Sequence, residues 1–203
     1  MNYAIFYNYH LIGDVLMVLV SDDIPTRVET HDDVVGLFHH DTLVGYNILN
    51  ISRIMKIKTH GLVVAPNNQM IDVINSQLKK AGFEPLPYKT ESGFRIGEVI
   101  SSEEHPDSDH LHVTKVNVGD QVLDIVCGAN NCRAGLKTVV ALPGTMMFDG
   151  MRIVPSSLRG IKSSGMLCST KELHFPLEAQ TKGIIELEPD AVVGADFFSA
   201  VGG

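Results

Sequence analysis

Apolar residues in the first ninety positions fall into short runs: Tyr3 to Tyr7, Val15 to Val20, Val34 to Phe38 and Leu43 to Ile51. Polar or glycine-bearing connections such as LIGD and HHDT separate them, the pattern of antiparallel hairpins. Val15 to Val20 is apolar at every position and predicts a central strand covered on both faces. After Pro66 the period changes. Met70, Ile71, Ile74, Leu78 and Ala81 recur at helical spacing, with Asn67 or Asn68 placed to cap the first turn. Lys79 and Lys80 suit the carbonyl end of the helix dipole, and Gly82 stops it. Pro85 and Pro87 then put FEPLPYKTESG outside regular structure, which places a domain boundary near Lys89 to Gly93. Residues 1–90 are thus expected to form an α+β domain, an antiparallel sheet with one main helix.

Beyond Gly93 the chain reads as short β segments with frequent glycine: FRIGEVI, LHVTKVNV, VLDIVC, TVVALP, MRIVP and GIIELE. Short strands without a long helix predict a small all-β domain over residues 92–203, closed or sandwiched. In LHVTKVNV the apolar parity flips between Val113 and Val116, which a β-bulge near Lys115 would explain. The terminal FFSAVGG reads as a docked segment fraying at its glycines.

Residues 105–113, HPDSDHLHV, concentrate ligand-type side chains and raise the question of a metal. Pro106 pushes His105 toward extended geometry, and Asp107, Ser108 and Asp109 are turn formers. Leu111 then begins a strand in which His110 and His112 share a face, so the stretch reads as a turn that sets up the second strand. His39 and His40 sit in a similar polar turn. Cys127 and Cys132 are four residues apart with no second pair, and Cys168 makes an odd third, so neither a zinc site nor a disulfide framework is expected. Small buried apolar residues are the plainer reading of all three. No metal and no cofactor is called for.

Composition narrows the function classes. The hydrophobic fraction of 44% and charged fraction of 20% are those of a globular chain and not a disordered one. No uncharged apolar run is long enough to span a membrane, and MNYAIFYNYH lacks the basic start of a secretory signal. Together with the odd cysteine count this points to the cytoplasm. A net charge of -8 argues against a nucleic-acid partner, but the distribution reverses the argument. From Ile125 to Lys171 six basic residues face a single acid, Asp149.

The series GEV (97–99), HPDSDHL (105–111), VCGANNCRAGLK (126–137), VALPG (140–144), LRGIKSSGMLCS (158–169) and KEL (171–173) resembles the EMAP II-type tRNA-binding domain, over roughly residues 92–200. That domain is an OB-fold appended to phenylalanyl- and methionyl-tRNA synthetases and also found alone. With the N-terminal half in front of it, the chain resembles the YtpR-type free-standing tRNA-binding proteins. The resemblance implies an OB-fold barrel, tRNA as ligand through its outer corner, a homodimer, and an aminoacyl-tRNA synthetase as a further partner. One departure stands out: where the family commonly reads HPNADKL this chain has Asp107, Ser108 and His110, so a cation is missing and an acid added.

A curved β-face flanked by loops accepts nucleic acid without a dedicated pocket, with phosphate attraction supplying most of the affinity. The loop CGANNCRAG offers Asn130, Arg133 and Lys137, and LRGIKSSGMLCSTKEL offers Arg159, Lys162, Ser163, Met166, Ser169 and Lys171. These nine are the expected RNA-binding residues. Phe148 is the only aromatic of the basic window, so recognition by shape and backbone is expected rather than base stacking. A second reading is a peptide-binding chaperone of the CsaA type, which resembles the same OB-domain; Met146, Met147, Met151 and Met166 would supply its adaptable apolar groove. Catalysis is not expected: no Gly-rich phosphate loop, GxSxG, HExxH or synthetase signature is present, and Asp22, Asp23, Asp32 and Asp33 read as solvated loops.

Overall fold

The structure is a computed structural model and describes residues 3–88, 91–174 and 182–201. The chain divides into two compact units, Met1–Thr90 and Glu91–Gly203.

In the first unit, strands β1 (Ala4–Tyr7), β2 (Val15–Leu19), β3 (Arg27–His31), β4 (Val34–His39), β5 (Thr42–Leu49) and β6 (Gly61–Leu62) form one antiparallel sheet in the order β3-β4-β5-β2-β1-β6. A one-turn helix, α1 (Tyr9–Ile12), links β1 to β2, and α2 (Asn68–Lys80) is the main helix. The side chain of Asn67 caps α2 by accepting from the Met70 amide at 2.9 Å. Its apolar stripe, Ile71, Ile74 and Leu78, is fully buried against Ile5, Leu16, Val18 and Ile48 of the sheet. At about 1.5–3 kcal/mol for each buried aliphatic side chain, that stripe outweighs any single cap or ion pair in the unit.

Two expectations need correction here. β2 is interior but not covered on both sides: Leu16 and Val18 are buried while Val15, Met17 and Leu19 are half-buried, because α2 covers one face only. β3 went unanticipated because RVETH carries no apolar alternation; it is an edge strand, exposed along almost its whole length. The segment after α2 has no regular structure, as expected, yet it is pinned. Tyr3 and Tyr46 donate their hydroxyls to the carbonyls of Pro87 (2.7 Å) and Glu84 (3.2 Å), and Asn75 exchanges two hydrogen bonds with Leu86.

In the second unit, β7 (Phe94–His105), β8 (Ser108–Asn117), β9 (Val122–Cys127), β10 (Lys137–Ala141) and β13 (Met166–Leu167) make a five-stranded antiparallel sheet in the order β13-β10-β7-β8-β9, and β11 (Ser156–Leu158) pairs with β12 (Ile161–Ser163). The Ser164 amide donates to Asp124 O at 2.7 Å and the Val126 amide to Ser163 Oγ at 3.1 Å. These bonds lay the chain after β12 along β9, and β13 contacts β9 as well, so the two ends of the sheet meet and the barrel closes. Its core holds Val99, Val116, Val118, Ile125 and Val140. Gly97 faces inward at a tight point, where a Cβ would lie 2.5 Å from Val140 and 3.0 Å from Val116. The architecture is an α+β domain followed by an all-β OB-type barrel.

The barrel departs from expectation in three places. The β8 parity does not flip: Thr114, Val116 and Val118 all point inward, and Thr114 is tolerated there because its hydroxyl donates to Ile125 O at 2.7 Å. The bulge lies on the facing strand, between Val99 and Ser101 of β7, opposite Val116 and Lys115. β8 starts at Ser108, three residues before Leu111, since a tight Pro106–Asp107 turn pairs His105 directly with Ser108. MRIVP and GIIELE are not strands. MRIVP contributes one bridge, Met146 to Arg152, and residues 185–187 donate singly to Cys168 O and Lys137 O on different strands, so no ladder builds. At the C-terminus, helix α3 (Phe197–Val201) buries Phe197, and the preceding Asp196 accepts from the Ser92 amide (2.6 Å) and hydroxyl (2.7 Å). The last two glycines, expected to fray, lie outside the described residues.

Candidate nucleic-acid interface

The loop after β9 is held by a side chain of its own. Asn131 donates through Nδ2 to Ile184 O (2.9 Å) and Glu186 Oε1 (3.0 Å), and its Oδ1 accepts from the Ile184 amide (3.0 Å). Gly183, at φ +81°, packs so closely that a Cβ there would sit 2.2 Å from Asn131 Oδ1. Arg133 completes the clamp with paired bonds to Glu186, Nη1 to Oε1 at 3.1 Å and Nη2 to Oε2 at 2.7 Å. Arg133 and Asn131 together hold the Glu186 carboxyl well down, at about 2. Within the loop the Cys132 amide donates to Ala129 O (3.1 Å) and the Ala129 amide to Cys127 Sγ (3.4 Å). All three cysteines are buried and free. Cys127 and Cys132 meet as a thiol pair, in which the proton bound between them and burial push Cys127 up while the bond from Cys127 lowers Cys132.

Between this loop and the segment after β13 lies an open groove of about 660 Å³, whose rim and floor include Gly128, Asn130, Met166, Ser169, Glu172 and Lys182. A smaller depression of about 350 Å³ adjoins it, sharing Met166, Ser169 and Glu172 and adding Met151, Lys171 and His174. The Glu172 carboxylate turns back onto its own turn, accepting from the Ser169 amide and hydroxyl at 2.7 Å each. It therefore leaves Lys171 and Lys182 without ion pairs among the described residues. Two free ammonium groups, an exposed amide and a methionine-bearing floor make a surface that can take a phosphodiester and a sugar edge at once.

The nine residues expected from the sequence separate on this geometry. Asn130, Met166, Ser169 and Lys171 come together around the two depressions. Lys162, on the exposed side of β12, also carries a free ammonium, while Ser163 is buried with its hydroxyl engaged by the Val126 amide on the groove wall. Arg133 is spent on Glu186, and Lys137 donates to Pro189 O (2.5 Å) and Ala191 O (2.7 Å). Arg159, at φ +46°, donates to Asp107 O in the β7–β8 turn. Arg152 donates to Gly144 O at 3.4 Å, so the six cations of the basic window do not act as one set: Arg133, Lys137, Arg152 and Arg159 bond within the fold, and Lys162 and Lys171 have no ion pair among the described residues. Lys182 is a groove residue not named from the sequence, because it lies beyond the acid-poor window; its one signal is a lysine directly before GIIELE.

The HPDSDHLHV stretch is structural. His105 is buried, its Nδ1 accepts from the Asp107 amide at 3.1 Å, and Nε2 lies 3.3 Å from Leu158 O, which assigns the proton to Nε2. No cluster of three or more potential metal ligands occurs among the described residues. Of the four methionines suggested for an apolar groove, Met147, Met151 and Met166 line the smaller depression, beside Asp149, Lys171 and Glu172, while Met146 is buried and lines neither depression. No helix among the described residues is long and apolar enough to cross a membrane.

Comparison with known proteins shows the family. A family model described as "Putative tRNA binding domain" matches residues 94–196, and one described as a domain of unknown function matches residues 21–86. The chain is 41% identical to "Putative tRNA-binding protein YtpR" of Bacillus subtilis, over 95% of this chain and 98% of the relative. It is 45% identical to the phenylalanine–tRNA ligase beta subunit of Vibrio parahaemolyticus over 64% of this chain but 17% of that subunit. With the same subunit of Haemophilus influenzae it shares 52% identity, over 53% of this chain and 13% of the relative. A barrel with a lysine-flanked groove, matched along 94–196 and, through the Bacillus relative, along nearly the whole length, places this chain in the tRNA-binding domain family, in its YtpR-type branch.

Proposed function

We propose that residues 92–203 bind tRNA at the groove between the 128–131 loop and the 166–172 segment, without catalysis, by contacts to phosphate and sugar. The observation that carries this reading is that Lys171 and Lys182, without ion pairs among the described residues, line two adjoining depressions with Asn130, Met166 and Ser169 in an otherwise acidic chain. Lys162 extends the same charge, and Arg159 adds a cation at the β7–β8 turn, where the family's usual lysine is replaced by His110. Arg133 and Lys137 act behind the surface, as the struts of the loop. The protein works in the cytoplasm as a homodimer and lends tRNA affinity to a synthetase.

Filter binding of total tRNA tests the reading. About four to six phosphate contacts predict a slope of roughly -3 to -5 in the logarithm of the association constant against log salt. Lys171→Glu with Lys182→Glu is expected to abolish measurable binding. Binding that ignores salt, or survives the double reversal, would overturn the assignment. Capture of an unfolded polypeptide in preference to tRNA would favour the chaperone reading instead.

A further inference from the structure

The N-terminal unit carries a charged feature that the groove does not use. From Thr42 to Ile71 the chain has three basic residues, Arg53, Lys56 and Lys58, and no acid, although 24 acids over 203 residues would put three or four in a stretch of that length. The local structure explains why these cations stand together. A short 3-10 turn, Ile51–Arg53, buries Ile51 and turns Arg53 outward. In the stretch that follows, Met55 and Ile57 pack against the core formed by α2 and the sheet. Their alternation leaves Lys56 and Lys58 exposed, then His60, whose ring lies 5.2 Å from that of exposed His10 on α1.

Like Lys79, Lys80 and the groove lysines, these side chains have no ion pair among the described residues; what sets them apart is the acid-free stretch that carries them. Elsewhere in the chain Arg27, Arg95, Lys115 and Arg133 each pair with a carboxylate. Lys56, Lys58 and His60 make no ion pair or side-chain hydrogen bond among the described residues. The acid whose charge Arg53 feels, Asp14, is already bound by the Ser52 amide (3.0 Å), the Ser52 hydroxyl (2.7 Å) and the Tyr7 hydroxyl (3.1 Å). Lys56 and Lys58, held outward by a packed backbone with no ion pair among the described residues, lower the cost of meeting a polyanion, since no existing pair must be broken.

We infer that Arg53, Lys56, Lys58, His60 and His10 form a second contact surface for a nucleic-acid phosphate backbone, so that the N-terminal unit shares in gripping the RNA. This rests on the reading of the protein as a tRNA binder. The surface is sequence-independent: it offers ammonium, guanidinium and imidazole groups without an aromatic platform, which suits phosphodiesters and not unpaired bases.

The test uses the full chain and total tRNA, with salt titrations of four proteins. These are the wild type, Lys56→Gln with Lys58→Gln, the groove variant Lys171→Glu with Lys182→Glu, and the control Lys79→Gln with Lys80→Gln at the end of α2, which changes net charge equally. Losing two phosphate contacts is expected to reduce the salt slope by about 1.4–1.8 and raise Kd at 0.1 M salt on the order of tenfold or more. The control should leave the slope unchanged. A wild-type slope in the Lys56/Lys58 variant, with binding lost in the groove variant, overturns the second surface and leaves the groove standing. A reduced slope there with an intact groove variant supports the surface and removes the groove. A wild type that binds no tRNA refutes both, and equal losses in the control and the Lys56/Lys58 variant reduce the effect to net charge and overturn the surface.

Discussion

Replacing Asn131 by alanine should loosen the groove wall it lines while leaving Asn130, Met166, Ser169, Lys171 and Lys182 in place. The side chain makes three bonds, two of them to the peptide of Ile184, a residue only 4% exposed. Removing it leaves an amide and a carbonyl that water reaches poorly, and each such orphaned group costs about 1–3 kcal/mol. Partial access on the Asn131 side brings the expected total to about 2–3 kcal/mol, or a 30- to 150-fold rise in the open fraction. Because Cys127, Cys132 and Cys168 are all buried in the second unit, thiol reactivity reports on this unit alone and avoids treating a two-unit chain as one transition. With a thiol reagent in slow-reaction conditions, modification of Asn131→Ala should accelerate by that factor. Asn131→Asp should be worse, since it cannot donate to Ile184 O and places a second carboxylate beside Glu186. An alanine variant within threefold of wild type would show that the loop is held by something other than this clamp.

Gly183→Ala meets the same clamp from the other side: positive φ disfavours it, and its methyl would collide with Asn131 Oδ1. It should destabilise by about as much as Asn131→Ala, and the double variant should cost much less than the two single effects added, as read from the same thiol rates. The Glu186 carboxyl is held at about 2 in the folded chain, below its unfolded value. Its contribution is therefore complete above the ordinary glutamate range and is lost as pH falls toward about 2. Glu186→Gln should flatten the acid limb of thermal midpoint against pH, and parallel profiles for the two proteins would refute the pairing. Gly97→Ala drives a methyl against Val140 inside the barrel, with an expected cost of about 1–3 kcal/mol by urea denaturation; a neutral result would mean that the barrel relaxes there.

Much of this molecule is legible in its sequence where period and chemistry coincide. Helix α2 follows from the spacing of Ile71, Ile74 and Leu78 and from Asn67 ahead of them. The hairpins of both units follow from short apolar runs between turn residues. Legibility fails where a polar residue takes a core place: Thr114 is buried because Ile125 O accepts its hydroxyl, a partner in another strand that local pattern cannot supply. It fails again at β3, an edge strand with no hydrophobic face to betray it. In the candidate site, residue type pointed to a set of cations and amides but not to which of them the fold itself engages. Arg133 looks like a ligand-binding cation until Glu186, 53 residues later, is seen to occupy it. Lys182 gained its place from the same long-range closure.

That closure has an implication for how the protein is made. The loop after β9 is braced by Ile184 and Glu186, which leave the ribosome some fifty residues after it. Until they emerge, the 128–133 loop has no brace and the groove no far wall. A nascent chain therefore passes through synthesis of most of its barrel with this groove incomplete, and whatever the groove holds must wait for the last stretch of translation.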